Sequence, residues 1–255
     1  MNTPYFDLMC RLHKDRLSYF QRWYYDGPMA VSSGRDAELE EMNRVLLKAC
    51  RYYTEHYADF LQIVPYEDDV LRILEYAGKF PFRAGALRPD FIISETGQLQ
   101  FCEITSRFFG HMYYLFVFTE MIANRFAEES GITDRKDRYE EMLAYLAALP
   151  GNKKTMYVLK SADKTGEIQM YVPFYEALGM KAYIVDAEDI ADLREDLSEC
   201  FVVSALNQKD ILSLPQEKMK QIMDAGCRND MRTVFLLHDK RFFRLFDCPE
   251  FTLKC

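Results

Sequence analysis

The sequence predicts an α/β protein: a helical N-terminal layer with a β-hairpin, then a Rossmann-like, doubly wound parallel sheet. Three observations predict it. Helical periodicity dominates the first 80 residues. Two apolar runs flank a Gly-containing turn near 88–105. Beyond Pro150, short continuous apolar runs alternate with amphipathic segments.

Taking the elements in order, Phe6, Met9, Cys10, Leu17, Phe20 and Tyr24 recur at helical spacing. Gly27, Pro28, Ser32, Ser33 and Gly34 break that pattern. A longer helix follows with the stripe Leu39, Met42, Leu46, Ala49, Tyr53, Tyr57 and Phe60, and Ser33 is its expected N-cap. Pro65 ends it, a short helix from Glu67 to Tyr76 comes next, and Gly78, Pro81 and Gly85 mark a loop. Phe91–Ser94 and Leu99–Thr105 read as paired strands around Gly97, which supplies the positive φ of a tight reversal. Helices are expected at roughly 113–129 and 139–148.

Pro150, Gly151 and Asn152 divide the chain into 1–150 and 151–255. In the second part, M-Y-V-L (156–159), A-Y-I-V (182–185), F-V-V-S-A-L (201–206) and V-F-L-L (234–237) read as about four buried strands. Helices are expected at about 167–178, 188–197, 215–225 and 239–247.

Composition narrows the function. The chain has 255 residues, 49% hydrophobic and 28% charged, with net charge −8. That balance suits a folded domain and opposes nucleic acid, which needs a basic face. The N-terminus lacks a continuous apolar h-region, and no apolar run approaches membrane-spanning length, so neither a signal peptide nor a membrane partner is expected. Seven scattered cysteines without a C-x-x-C pair suggest reduced thiols, a cytoplasmic location and no zinc site. Aromatic clusters at Tyr19–Tyr25 and Phe108–Phe118 read as packing surface first and substrate wall second.

Candidate chemistry concentrates in R-P-D-F-I-I-S-E-T-G-Q-L-Q-F-C-E-I-T-S-R-F (88–108). Glu103 and Thr105 share one strand face, and Arg88 and Asp90 share another. A two-residue loop would set Asp90 opposite Glu103 and Arg88 opposite Thr105. A three-residue loop with a bulge at Gly97 pairs Phe91 with Phe101 and Ile93 with Leu99, and gives one apolar face. The residues leave that register open. Glu103 is either a structural ion pair with Arg107 or Arg88, or, with the Thr105 hydroxyl, an oxygen donor set suited to Mg²⁺. The turn S-A-D-K-T-G (161–166) lacks a nucleotide fingerprint. Its Lys164 and Thr165 either meet an anion or form a plain solvated loop. Near the C-terminus, Asp239 reads as a helix cap, with Lys240 and Arg241 solvated.

R-P-D-F followed by Q-F-C-E-I-T-S-R-F resembles the R-x-D-Y/F … E-I-N motif of circularly permuted ATP-grasp carboxylate–amine ligases, of the eukaryotic-type glutathione synthetase kind. The segment 229–243 resembles the passage from the substrate domain of those ligases into their ATP-grasp domain. The resemblance implies a substrate-binding, pre-ATP-grasp part of a ligase whose main ATP-grasp domain is absent from this chain. It implies ATP and Mg²⁺ in the complete ligase, with neither tightly bound to this chain alone. Glu103 and Thr105 would be metal ligands and Lys240 a cofactor contact. The substrate-binding set would be Arg88, Asp90, Ser106, Arg107, Lys164 and Thr165, for a small carboxylate or amino-acid-like substrate. Thr105 stands where that family has Asn. The alternative is a non-catalytic module that binds a small anion or a partner protein.

Overall fold

The computed structural model describes residues 31–108, 126–131, 139–163 and 171–255, with Leu8, Arg11, Leu12 and Ile168 besides. Most of the first aromatic helix, residues 113–125 of the helix expected at 113–129, and Lys164 and Thr165 lie outside these residues. Within them the protein is mixed α/β, with an antiparallel hairpin and a separate parallel sheet of three strands.

The long helix α1 spans Ser33–His56. Its N-cap is Ser32 rather than Ser33: the Ser32 Oγ accepts the Arg35 N–H at 3.2 Å. One 3₁₀ turn (Tyr57–Phe60) follows, then α2 (Asp68–Ala77). The hairpin pairs β1 (Arg88–Ile93) with β2 (Leu99–Thr105). Helix α3 (Tyr139–Ala148) leads into β3 (Thr155–Lys160), α4 (Tyr171–Ala177), β4 (Lys181–Asp186) and β5 (Phe201–Ala205). The sheet order is β4-β3-β5, all parallel. Alternate residues of β3 enter opposite cores, Tyr157 and Leu159 on one face, Met156 and Val158 on the other. A parallel sheet covered on both faces has this burial pattern.

Helices α5 (Gln208–Ser213), α6 (Gln216–Asp224) and α7 (Met231–Leu236) follow, then a 3₁₀ helix (Lys240–Asp247) and the short α8 (Pro249–Thr252). The expected fourth strand, V-F-L-L, is thus the body of α7. A short apolar run reads equally as strand or buried helix. The Asp230 side chain decides it by capping the Arg232 N–H at 3.0 Å. The helix expected at 188–197 is replaced by two 3₁₀ pieces, Ala187–Asp192 and Leu197–Glu199, because Leu193 turns extended and breaks the ladder.

The larger core draws on both sides of Pro150. Tyr53, Leu74 and Ile104 pack in one cluster with Leu159, Val202, Phe235 and Phe251. Its thiols are chemically quiet. Burial pushes Cys50 and Cys227 up to about 12. Each thiol's folded pKa stands above its unfolded value of about 8.5, so its contribution is intact below that pH and drains away as pH climbs towards 12. Among the described cysteines, native protein treated with iodoacetamide at neutral pH should be alkylated first at the exposed Cys102, with Cys50 and Cys227 silent until unfolding. Peptide mapping checks this, and equal rates at Cys227 and Cys102 would refute it.

Candidate functional site at the base of the hairpin

The hairpin combines both registers that the sequence left open. Near the turn, Phe91 faces Phe101 and Ile93 faces Leu99; beyond a bulge, Asp90 faces Glu103 and Arg88 faces Thr105. The turn explains the first half. Gly97 has φ +82°, and its N–H reaches the Ser94 carbonyl at 2.8 Å. A three-residue loop with glycine in the left-handed region follows. Cys102 is the extra residue of the bulge, and its Sγ lies 3.2 Å from the Asp90 carbonyl. Burial does not select this register as the alternation suggested, since Phe91, Ile92 and Ile93 are all exposed. The turn and the bulge set it instead.

The four charged or polar groups therefore converge. Arg88 forks onto Asp90 at 2.9 and 3.1 Å and donates to the Thr105 hydroxyl at 3.2 Å. Glu103 takes neither of the arginines considered for it. Its partner is Lys240, at 3.2 Å and well exposed, so the pair contributes only about 0–1 kcal/mol. Asp239 does cap the 3₁₀ helix, accepting the Arg241 N–H at 2.8 Å. Arg241 is more than solvated: it reaches the Pro65 carbonyl at 2.9 Å and covers the Tyr66 ring.

Ser106 and Arg107 leave the hairpin in opposite roles. Ser106 is buried and wholly committed to α7. Its hydroxyl donates to the Thr233 carbonyl at 3.0 Å, and its own carbonyl accepts from Thr233 Oγ1 and Asn229 Nδ2. Arg107 crosses to the carboxyl end of the sheet. Nε and Nη2 donate to the Ala205 carbonyl at 3.2 and 2.9 Å, and Nη1 and Nη2 donate in parallel to Asp163 at 2.8 and 2.7 Å. The same end carries Ser161, whose hydroxyl donates to Asp210 and accepts the Asn207 N–H at 2.9 Å.

Sequence reasoning missed three contributors. Asp163 gave no signal beyond its place in a strand-to-helix turn. Asn229 and Asp230 stood in plain view as a polar pair ahead of an apolar run, the usual signature of a helix start. Among the described residues, no three His, Cys, Asp or Glu side chains are grouped to hold a metal.

No curated protein matches the chain. A family model, AnkG N-terminal domain, matches residues 42–236, well over half of the chain. That match corrects the ATP-grasp, glutathione synthetase-like ligase reading: it spans the hairpin and 229–236 together and assigns them elsewhere. The ligase motif is short, and an Arg-x-Asp fork opposite a Glu is what a charged hairpin base produces by itself. ATP entered only through that likeness, whereas Mg²⁺ was also read from the oxygens of Glu103 and Thr105. The chain belongs to the AnkG N-terminal domain family.

Proposed function

We propose that this domain is a binding module that grips an anionic group at the carboxyl ends of β3 and β5, with Arg107 as the recognising side chain. One observation carries the reading. The Arg107 side chain is only 11% exposed, fixed from behind by the Ala205 carbonyl, and presents its outer edge to a carboxylate that is 56% exposed. A rigid fork of this kind suits a carboxylate or phosphate. Asp163 holds the position that a ligand's acidic group would take.

The sheet order supports this placement. In β4-β3-β5 the chain passes from β3 to its neighbour on one side and then crosses back to β5 on the other, which we read as a Rossmann-like, doubly wound arrangement with its crevice between β3 and β5. The ligand fits the class of small carboxylates or amino-acid-like molecules. A reducing compartment such as the cytoplasm suits the free cysteines.

Calorimetric titration with inorganic pyrophosphate tests it. Asp163→Asn removes the internal competitor and should tighten binding about tenfold, whereas Arg107→Lys loses the fork and should weaken it about tenfold. If wild type and Arg107→Lys bind alike, the proposal is wrong.

A further inference from the structure

A second charged group stands apart from the hairpin base. A shallow, open cleft, whose enclosed part is only about 20 Å³, lies between the loop after α2 and the segment joining α6 to α7. Phe80, Pro81, Met223 and Met231 supply apolar walls, and Arg83, Asp230 and Arg232 supply the polar ones.

The charges there do not cancel. Asp230 is saturated. Its carboxylate accepts from Arg232 Nε and Nη2 at 3.2 and 2.8 Å and from the Arg232 and Arg83 backbone N–H groups, both at 3.0 Å. Arg232 is buried and also held by the Phe80 carbonyl at 3.2 Å and the Phe82 ring. Those two residues neutralise one another. The Arg83 side chain is not part of the pair, and among the described residues it forms no ion pair or hydrogen bond. Its guanidinium lies on Gly226 instead. A Cβ at Gly226 would come within 1.9 Å of Nη1 and push that flexible side chain aside, and the backbone there has φ +75°, which favours glycine. A cationic fork is thus laid against bare backbone beside an apolar wall.

We propose that this cleft binds a small organic anion, a carboxylate or phosphate monoester with an apolar body, whose acidic head meets Arg83. The apolar body lies against Phe80, Pro81 and Met231. Charge selects the head, and contact along the open apolar wall adds affinity for the tail. The Cys227 thiol, with its pKa pushed up by burial, lines the cleft as a wall and takes no part in chemistry.

Phenyl phosphate is the probe, with benzyl alcohol and inorganic phosphate as controls, read by calorimetry on the full chain. Wild type should bind phenyl phosphate with Kd of about 1 mM or tighter, and more tightly than either control. Arg83→Gln should weaken phenyl phosphate about tenfold while leaving benzyl alcohol unchanged. Gly226→Ala should displace the Arg83 guanidinium and weaken binding; if that variant does not fold, Arg83→Gln alone decides. In an Arg107→Lys background, Arg83→Gln should still weaken phenyl phosphate about tenfold, which separates this cleft from the hairpin site. Absence of binding by wild type, or an Arg83→Gln substitution without effect in either background, overturns the proposal.

Discussion

Phe251→Ala is expected to cost about 3–5 kcal/mol. Phe251 is fully buried in α8 and is ringed by Phe60 at 5.4 Å, Phe246 at 5.5 Å, Tyr52 at 5.9 Å, Phe242 at 6.2 Å and Tyr53 at 6.3 Å. Removing the ring leaves a cavity that rigid aromatic neighbours refill poorly. Native stability is typically about 5–15 kcal/mol, so the loss is a large share of the whole. Leu253, two residues on and 85% exposed, is the control; Leu253→Ala should stay within about 0.5 kcal/mol. Urea unfolding measures both. A Phe251→Ala loss below about 1 kcal/mol would mean the cluster relaxes freely, against the packing described. The cluster also bears on the hairpin site. Phe242 and Phe246 belong to the 3₁₀ helix that carries Lys240 to Glu103, so the variant should loosen that pair as well.

What could be read in advance followed local signals. Helix α3 and the three sheet strands were legible because periodicity and Pro-Gly-Asn punctuation are local. The V-F-L-L run was misread because four buried apolar residues carry no period, and the deciding cap sits four residues upstream at Asp230. The hairpin register was legible only as two exclusive choices. A bulge at Cys102 reconciles them, and nothing about a cysteine in an apolar run announces a bulge. The site was legible in its parts and wrong in its pairs. Lys240 meets Glu103 from 137 positions away, and Asp163 meets Arg107 across 56, so no local pattern could assign either. Lys164 and Thr165 lie outside the described residues, where that part of the expectation stays a proposal. The family escaped because a short charged motif reports hairpin chemistry more strongly than ancestry.

Asn229→Ala is expected to cost about 3–5 kcal/mol, through polar groups left bare rather than through volume. The buried Asn229 amide closes a clasp. Oδ1 accepts the Ala86 N–H at 2.7 Å, while Nδ2 donates to the Ala86 carbonyl at 2.8 Å and to the Ser106 carbonyl. Ala86 precedes β1 and Ser106 follows β2, so one side chain ties both ends of the hairpin to the start of α7. Alanine strands two part-buried backbone groups of Ala86 and leaves the buried Ser106 carbonyl with Thr233 alone. Asn229→Asp sharpens the test, because shape is kept and only the donor is lost. An ionised carboxylate would face two carbonyl oxygens, so folding holds the proton and raises the pKa above the unfolded value of about 3.9. The sign follows: this variant keeps its stability below about pH 3.9 and loses it as pH rises through the folded pKa, whereas the Asn229 protein has no such dependence from this position. Unfolding in urea at pH 4 and pH 7 should show the Asp variant falling further behind wild type at the higher pH, and a constant gap between the two would refute the clasp. Arg107 directly follows Ser106, so an unclasped hairpin also loses the aim of its guanidinium at Asp163, and pyrophosphate affinity should fall along with stability at pH 7.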